Sequence, residues 1–307
     1  MKLKKPNFWK EKNIFSYSLL PFTLIANIIN FFKKINFQKN FNIKTICVGN
    51  IYIGGTGKTS LTIEINKFLS KKFKTVFVKK NYENQIDEIN LLKRNGQVIS
   101  RSNRSNSLKE AVDKKFQVAL LDDGLQQKNI KYDVKIVCFN SSEGIGNGFL
   151  LPSGPLRENL YELKKYDVAF LIGEKNNKKL ISLIRSINNK IKIFKANYVP
   201  VNLININKNK NYFMFCGIGN PHEFINTLKK INLKIKKYKI FPDHYKMSTT
   251  EIKNIKILAK KSNLDVITTE KDYLRIDPKI RNGIKFLKVN LNINKKDNFK
   301  KFLKSKL

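Results

Sequence analysis

Ile43-Lys44-Thr45-Ile46-Cys47-Val48-Gly49-Asn50-Ile51-Tyr52-Ile53-Gly54-Gly55-Thr56-Gly57-Lys58-Thr59-Ser60-Leu61 is the stretch whose reading decides the fold. Ile43 to Val48 is a short apolar run with β-branched residues, which reads as a strand. From Ser60 to Phe68 the apolar residues Leu61, Ile65 and Phe68 recur at helical spacing. Strand, glycine-rich loop, Gly-Lys-Thr and helix are the parts of a Walker A phosphate loop. Glycines let backbone N–H groups turn inward onto phosphate oxygens, and the helix start adds partial positive charge. In such a loop Lys58 reaches the β- and γ-phosphates and the Thr59 hydroxyl ligates Mg²⁺. Gly54, Gly55, Thr56, Gly57, Lys58 and Thr59 are therefore the expected nucleotide-binding set. Tyr52 stands where the strict consensus has its first glycine.

Working outward, a loop of this kind needs a carboxylate at the end of a second strand to hold Mg²⁺. Gln117-Val118-Ala119-Leu120-Leu121-Asp122-Asp123-Gly124 is an apolar strand ending in two acids and a glycine turn, the Walker B pattern, with Asp122 the expected Mg²⁺ partner. Glu158, beside Arg157, is a third candidate for the metal or the phosphates; its bland reading is a surface ion pair of small value. ATP and Mg²⁺ are the cofactors these features imply.

Strands are expected at 43–48, 74–79, 117–122, 134–139 and 167–172, alternating with helices at 59–70, 85–94, 107–115 and 178–188. That alternation predicts an α/β fold, a mostly parallel sheet with helices on both faces. The polar run 207–211 reads as a linker. Beyond it, strands near 212–216, 236–240, 265–269 and 285–289 and helices near 221–230, 248–261 and 296–304 predict a second, smaller α/β domain. The expected division is 1–34 for an amino-terminal helix, 35–206 for the P-loop domain, 207–211 for the linker and 212–307 for the smaller domain.

Residues 14–32 read IFSYSLLPFTLIANIINFF without a charge, between Lys10 and Lys12 on one side and Lys33 and Lys34 on the other. A cleaved signal peptide does not fit, since Lys33-Lys34 follows in place of a small-residue cleavage site. A buried helix, an interfacial anchor and a full span remain open; Trp9, Tyr17, Phe31 and Phe32 near the ends suit an interfacial, membrane-associated helix best. Pro21 should kink it. The chain carries 61 Lys and Arg against 23 Asp and Glu, a net charge of +38. The excess is spread through every segment, which fits compositional bias in a Lys- and Asn-rich chain as well as it fits an anionic membrane surface. Basic residues interleaved with aromatics on one element are not seen, so no nucleic acid is expected as partner. The three cysteines, Cys47, Cys138 and Cys216, each lie in an apolar run without metal-ligand spacing and read as reduced core residues of a cytosolic protein.

Several further blocks stand in order: Asp122-Asp123-Gly124-Leu125-Gln126, Gly146-Asn147-Gly148-Phe149-Leu150-Leu151-Pro152-Ser153-Gly154-Pro155-Leu156-Arg157-Glu158, Gly217-Ile218-Gly219-Asn220-Pro221, Phe241-Pro242-Asp243-His244-Tyr245 and Thr268-Thr269-Glu270-Lys271-Asp272. With the phosphate loop, they resemble the tetraacyldisaccharide 4'-kinase family over nearly the whole chain. The resemblance implies phosphorylation, by ATP, of the 4'-hydroxyl of a lipid A disaccharide precursor, at the cytoplasmic face of a bacterial inner membrane rich in anionic lipids. It implies two α/β domains with the active site in the cleft between them. It also implies an acid–base pair, the aspartate mapping to Asp87 and the histidine to His244. Independently, an attacking hydroxyl needs a positioned base, and of only two histidines, His222 and His244, the latter has Asp243 beside it to orient it. With Lys58, these two form the expected catalytic set. The sequence departs from the family where Ile86 and Ile89 flank Asp87, where Lys79-Lys80-Asn81-Tyr82 replaces a Ser-Arg-Gly-Tyr stretch, and at Gln127. Those departures keep an alternative in view, a diverged P-loop ATPase that binds membrane or nucleic acid without lipid kinase activity.

Overall fold

The computed structural model describes residues 6–25, 38–82, 86–243 and 245–307, and the chain divides into two compact units. The larger unit takes Lys5–Tyr82, Leu92–Asn197 and Ile293–Leu307; the smaller takes Glu83–Leu91 and Tyr198–Asn292.

An eight-stranded sheet is formed by β1 (Lys44–Gly49), β2 (Thr75–Lys80), β3 (Val98–Arg101), β4 (Val118–Asp122), β5 (Val134–Asn140), β6 (Val168–Ile172), β7 (Lys192–Pro200) and β12 (Val289–Ile293), in the order β12-β7-β6-β5-β1-β4-β2-β3. Every pair from β3 to β7 is parallel. At the far edge Val201 N donates to Lys288 O and Asn294 N to Lys195 O, a reversed order that makes β7 and β12 antiparallel.

Alternation along the strands builds a core on each face. Cys47, Val78, Leu121, Val137, Phe139 and Leu171 point to one side, where Leu108 and Ala111 of α4 (Arg104–Asp113) and Leu180 and Ile184 of α5 (Lys178–Ile187) cover them. Ile46, Val48, Leu120, Ile136, Cys138 and Phe170 are their buried alternates. On that second side Phe299 of α9 (Lys296–Lys304) meets Phe170 edge-on at 4.9 Å and Phe68 of α2 (Lys58–Leu69) at 6.1 Å. Parallel strands buried on both faces need this near-continuous apolar sequence.

The smaller unit holds a four-stranded, all-parallel sheet of β8 (Asn211–Cys216), β9 (Lys234–Ile240), β10 (Asp265–Thr269) and β11 (Ile284–Leu287), in the order β11-β10-β8-β9. Tyr212, Met214 and Cys216 pack toward Phe224 and Leu228 of α6 (Pro221–Lys230). Phe213 and Phe215 pack toward Ile252, Ile255 and Ala259 of α7 (Thr249–Lys261). Asn220 caps α6, Pro221 occupies its first turn, and Ser248 with Glu251 forms a capping box on α7.

The two units differ from the expected division at three places. Helix α9 belongs to the larger unit rather than to 212–307, because Phe299 is wedged among Phe68, Phe170 and Phe194. The stretch Glu83–Leu91, which opens α3 (Ile86–Lys93), belongs to the smaller unit rather than to 35–206, because Asp87 and Glu88 are ion-paired to Arg275 and Lys271 of α8 (Glu270–Arg275) and its surroundings. The boundary expected at 207–211 falls earlier, at Tyr198, and 207–210 is a turn leading into β8.

Residues 6–25 lie along the loop 146–156 of the larger unit. Trp9 Nε1 donates to Pro152 O at 3.0 Å, Asn147 N donates to Trp9 O at 2.8 Å, and the Thr23 and Ser153 hydroxyls meet at 2.7 Å. Helix α1 (Ile14–Ser18) starts at a capping box on Asn13, stops short of Pro21, and helix resumes at 20–25. The break sits where proline disfavours helix in the residues before it. Ile14, Phe15, Phe22 and Leu24 point outward, each between 60% and 78% exposed. Among the described residues no helix is long and apolar enough to cross a membrane; residues 26–34 of the expected helix lie outside the described residues. All three cysteines are free and buried.

Candidate active site

Strand register brings the two phosphate-site motifs together. β1 and β4 are neighbours with Val48 opposite Asp122, and Asp123 N donates back to Val48 O at 2.8 Å. The loop leaving β1 therefore runs beside the acids that end β4. Gly57, at φ 78°, turns the loop into α2 and is its N-cap, with no side chain capping the helix. The first N–H groups of α2 are thus left open toward an anion. The Thr56 hydroxyl, buried, has no hydrogen-bond partner among the described residues. These open donors beside Lys58 fit a bound polyphosphate.

Residues 150–158 form a bracket along the loop. Ile53 N donates to Pro155 O at 2.9 Å and Arg157 N donates to Ile51 O at 2.8 Å. The bracket explains the Leu-Pro-Ser-Gly-Pro-Leu-Arg-Glu block. It holds the phosphate loop in place and delivers Arg157, which donates to Asn50 Oδ1 at 3.0 Å and Asp123 Oδ1 at 2.9 Å. Asn50 in turn donates to Tyr52 O at 2.6 Å inside the loop.

The two acids of β4 face different partners. Thr59 Oγ1 donates to Asp122 Oδ2 at 3.0 Å, and the Lys79 ammonium, 1% exposed, lies 2.6 Å from the same oxygen. Asp122 Oδ1 is buried without a hydrogen-bond partner among the described residues. Thr59 and Asp122 thus offer a hydroxyl and a bare carboxylate oxygen, a donor set that suits Mg²⁺ bound mainly by phosphates and water. Asp123 sits at φ 60°, which swings its carboxylate toward Lys58 at 3.8 Å and Arg157. Burial alone would raise its pKa, but Lys58, Arg157 and Lys79 outweigh that and hold it below the ordinary carboxylate value.

The third metal candidate has partners of its own. Glu158 pairs with Lys128 and accepts from Gln126 Nε2 at 2.8 Å and Tyr166 OH at 3.0 Å, so its described partners do not include Thr59 or Asp122. Beside Asp123 opens a cavity of about 370 Å³ lined by Lys80, Tyr82, Arg104, Gln126 and Arg157.

Asp87 lies in the smaller unit, almost buried, with Arg275 Nη2 at 2.7 Å and Lys271 Nζ at 3.4 Å. Burial would lower the Lys271 pKa, but Glu88, Asp87 and Asp243 together raise it, so the ammonium stays charged. Arg275 also reaches Asp272 Oδ1 and Gly217 O, which ties the Gly217 turn, the Thr269–Asp272 turn and Asp87 into one network. His244 lies outside the described residues. Lys79, Asn50 and Arg104, which donates to Asp123 O at 2.6 Å, were not among the expected site residues. Lys79 showed only as a charge late in an apolar strand, with nothing to mark its partner; Asn50 and Arg104 carried no signal apart from the fold.

The family model described as tetraacyldisaccharide-1-P 4'-kinase matches residues 15–307. The chain belongs to the tetraacyldisaccharide-1-P 4'-kinase family. It is 48% identical to the tetraacyldisaccharide 4'-kinase of Pelagibacter ubique (strain HTCC1062), over 97% of this chain and 96% of that relative. It is 39% identical to the tetraacyldisaccharide 4'-kinase of Rickettsia canadensis (strain McKiel), over 96% of this chain and 94% of that relative. Its fold matches the crystal structure of the "apo" form of LpxK from Aquifex aeolicus in complex with ATP, with a TM-score of 0.71 at 22% identity, over 95% of this chain and 99% of that one. A tetraacyldisaccharide-1-P 4'-kinase therefore has here the mostly parallel α/β sheet that its phosphate loop predicts.

Proposed function

We propose that this chain is an ATP-dependent tetraacyldisaccharide 4'-kinase, transferring the γ-phosphoryl of ATP to the 4'-hydroxyl of a lipid A disaccharide precursor. The observation that carries the reading is the join between family membership over residues 15–307 and the intact constellation Lys58–Thr59–Asp122–Asp123 around an uncapped helix start.

The open N–H groups from Gly54 to Thr59 hold the phosphates, and Lys58 follows the charge that builds on the transferring group. Asp123 and Arg157 hold Lys58 and Asn50 in position. Thr59 and Asp122 would hold Mg²⁺, which would neutralise charge on the phosphates. Glu158 braces Lys128, Gln126 and Tyr166. The acceptor oxygen bonds to the γ-phosphorus as the bond to the bridging oxygen breaks, ADP leaves, and the hydroxyl proton passes to a base. The family resemblance offers Asp87 and His244 as candidates for that base. The cations Lys80, Arg104 and Arg157 around the 370 Å³ cavity favour an anionic group there. The apolar residues exposed on 14–25 support peripheral attachment to a membrane surface.

The test is transfer of labelled γ-phosphate from MgATP to tetraacyl disaccharide 1-phosphate in detergent micelles, with Lys58→Ala as control. Lysine-dependent transfer is expected. ATP binding without transfer would overturn the kinase reading in favour of a diverged P-loop ATPase.

A further inference from the structure

β2 runs parallel to β4 with Val78 opposite Leu121, so the next residues along the two strands are Lys79 and Asp122. Side chains at matched rungs of parallel strands leave the sheet on the same face. Lys79 is thereby brought to the phosphate site as a cation fully enclosed by protein, 1% exposed against an Asp122 that is 0% exposed, with 2.6 Å between Nζ and Oδ2. A lysine at this depth is rare unless it is paired. The Thr59 hydroxyl donates to the same oxygen, so Oδ2 is engaged twice while Oδ1, equally buried, has no hydrogen-bond partner among the described residues.

We propose that Lys79 is a built-in counterion that makes metal uptake at Asp122 conditional on nucleotide. A lone buried carboxylate beside a threonine hydroxyl would attract a free divalent cation. With the ammonium beside it, the carboxylate's charge is already balanced, and a divalent ion approaching Oδ1 meets a like charge held in a medium of low polarity. Once a triphosphate lies on the open N–H groups of α2, its negative charges outweigh the ammonium, and the metal enters with the nucleotide. Lys79 is in this sense a positioning residue: it engages Oδ2, leaves Oδ1 as the oxygen available to a cation, and sets the order in which charges assemble. The inference rests on the phosphate-site reading above.

Mn²⁺ serves as the probe, its free concentration followed by electron paramagnetic resonance with the full chain in detergent, with and without a non-hydrolysable ATP analogue. The unsubstituted protein should bind Mn²⁺ at least about a hundredfold more tightly with the analogue than without it. Lys79→Met and Lys79→Gln should each tighten nucleotide-free binding at least about tenfold, an increase that Asp122→Asn abolishes, while Lys79→Arg should behave like the unsubstituted protein. Equal Mn²⁺ affinity with and without the analogue, in a manner dependent on Asp122, overturns the proposal even if neither Lys79→Met nor Lys79→Gln folds. Folded Lys79→Met or Lys79→Gln protein with unaltered nucleotide-free affinity also overturns it. Failure to take up Mn²⁺ even with the analogue overturns the phosphate-site reading, and this inference with it.

Discussion

Asp123 adopts φ 60°, a left-handed conformation uncommon outside glycine, asparagine and aspartate. Asparagine tolerates that backbone as well as aspartate does, so Asp123→Asn separates strain from charge. Folding stability should stay within about 1 kcal/mol, while turnover falls at least tenfold because Lys58 and Arg157 lose the anion that positions them; a thermal melt beside the transfer assay checks both. Glu162 illustrates the opposite case, a carboxylate with a stabilising rather than a chemical task. Burial would raise its pKa, but Lys128 and Lys165 outweigh that and bring it down to about 2. A carboxyl lowered on folding adds stability above its unfolded pKa and loses it as pH falls toward the folded value. The melting difference between the unsubstituted protein and Glu162→Gln should therefore be present at pH 7, worth about 1 kcal/mol for a partly exposed pair, and shrink between pH 4.5 and pH 2. A difference that holds constant down to pH 2 would remove the ion pairs as its cause. At this scale the sequence was legible where chemistry follows a motif, as at Lys58, Thr59 and Asp122. It was not where a contact depends on strand register, as at Lys79.

The bracket at 150–158 is the element on which the phosphate loop leans. A Cβ on Gly154 would stand 2.2 Å from Asn147 Oδ1 and 2.4 Å from Phe149 O. Gly154→Ala should cost about 2 kcal/mol through this overpacking, and it should raise the KM for ATP more than it lowers kcat, since the loop loses its support while the chemical groups remain. In the smaller unit, Asp272 accepts from Gly217 N at 3.0 Å and Thr269 Oγ1 at 2.7 Å and pairs with Arg275, all with the carboxylate fully buried. Asp272→Ala leaves Arg275 half-partnered and two donors empty, so denaturant unfolding should show a loss of about 3 kcal/mol or more. The central strands and long helices were readable because burial on both faces of a parallel sheet forces continuous apolar runs. β3, β7 and β12 were not: Val98–Arg101 spans four residues with one fully buried, and Lys192–Pro200 mixes Lys and Asn into a half-exposed strand near the sheet edge. Short or edge strands need no periodic pattern, and none was written there.

For the molecule as a whole, the net charge of +38 and the exposed apolar row on residues 14–25 predict different dependences of membrane binding. Attraction of lysines to anionic vesicles is screened by salt, whereas burial of Phe15, Phe22 and Leu24 in the headgroup region is not. Sedimentation with anionic vesicles should weaken as salt rises but level off above zero, and serine at those three positions should remove the remainder; binding that disappears in salt without any substitution would assign attachment to charge alone. The interleaving of the two units was hidden from the sequence, because no local pattern records that 83–91 joins the residues after 198, or that the last helix returns to the first unit; only the ion pairs of Asp87 and the ring of Phe299 do. The buried cysteines carry a use of their own. Burial pushes the Cys47 and Cys216 thiols up to about 12, and Cys138 also upward, so none forms a reactive thiolate while its surroundings stay closed. Cys47 and Cys138 lie in the larger unit and Cys216 in the smaller. The chain therefore carries its own clocks: the rate at which an alkylating reagent modifies each sulfur times how often that unit breathes, without a label having to be engineered into either.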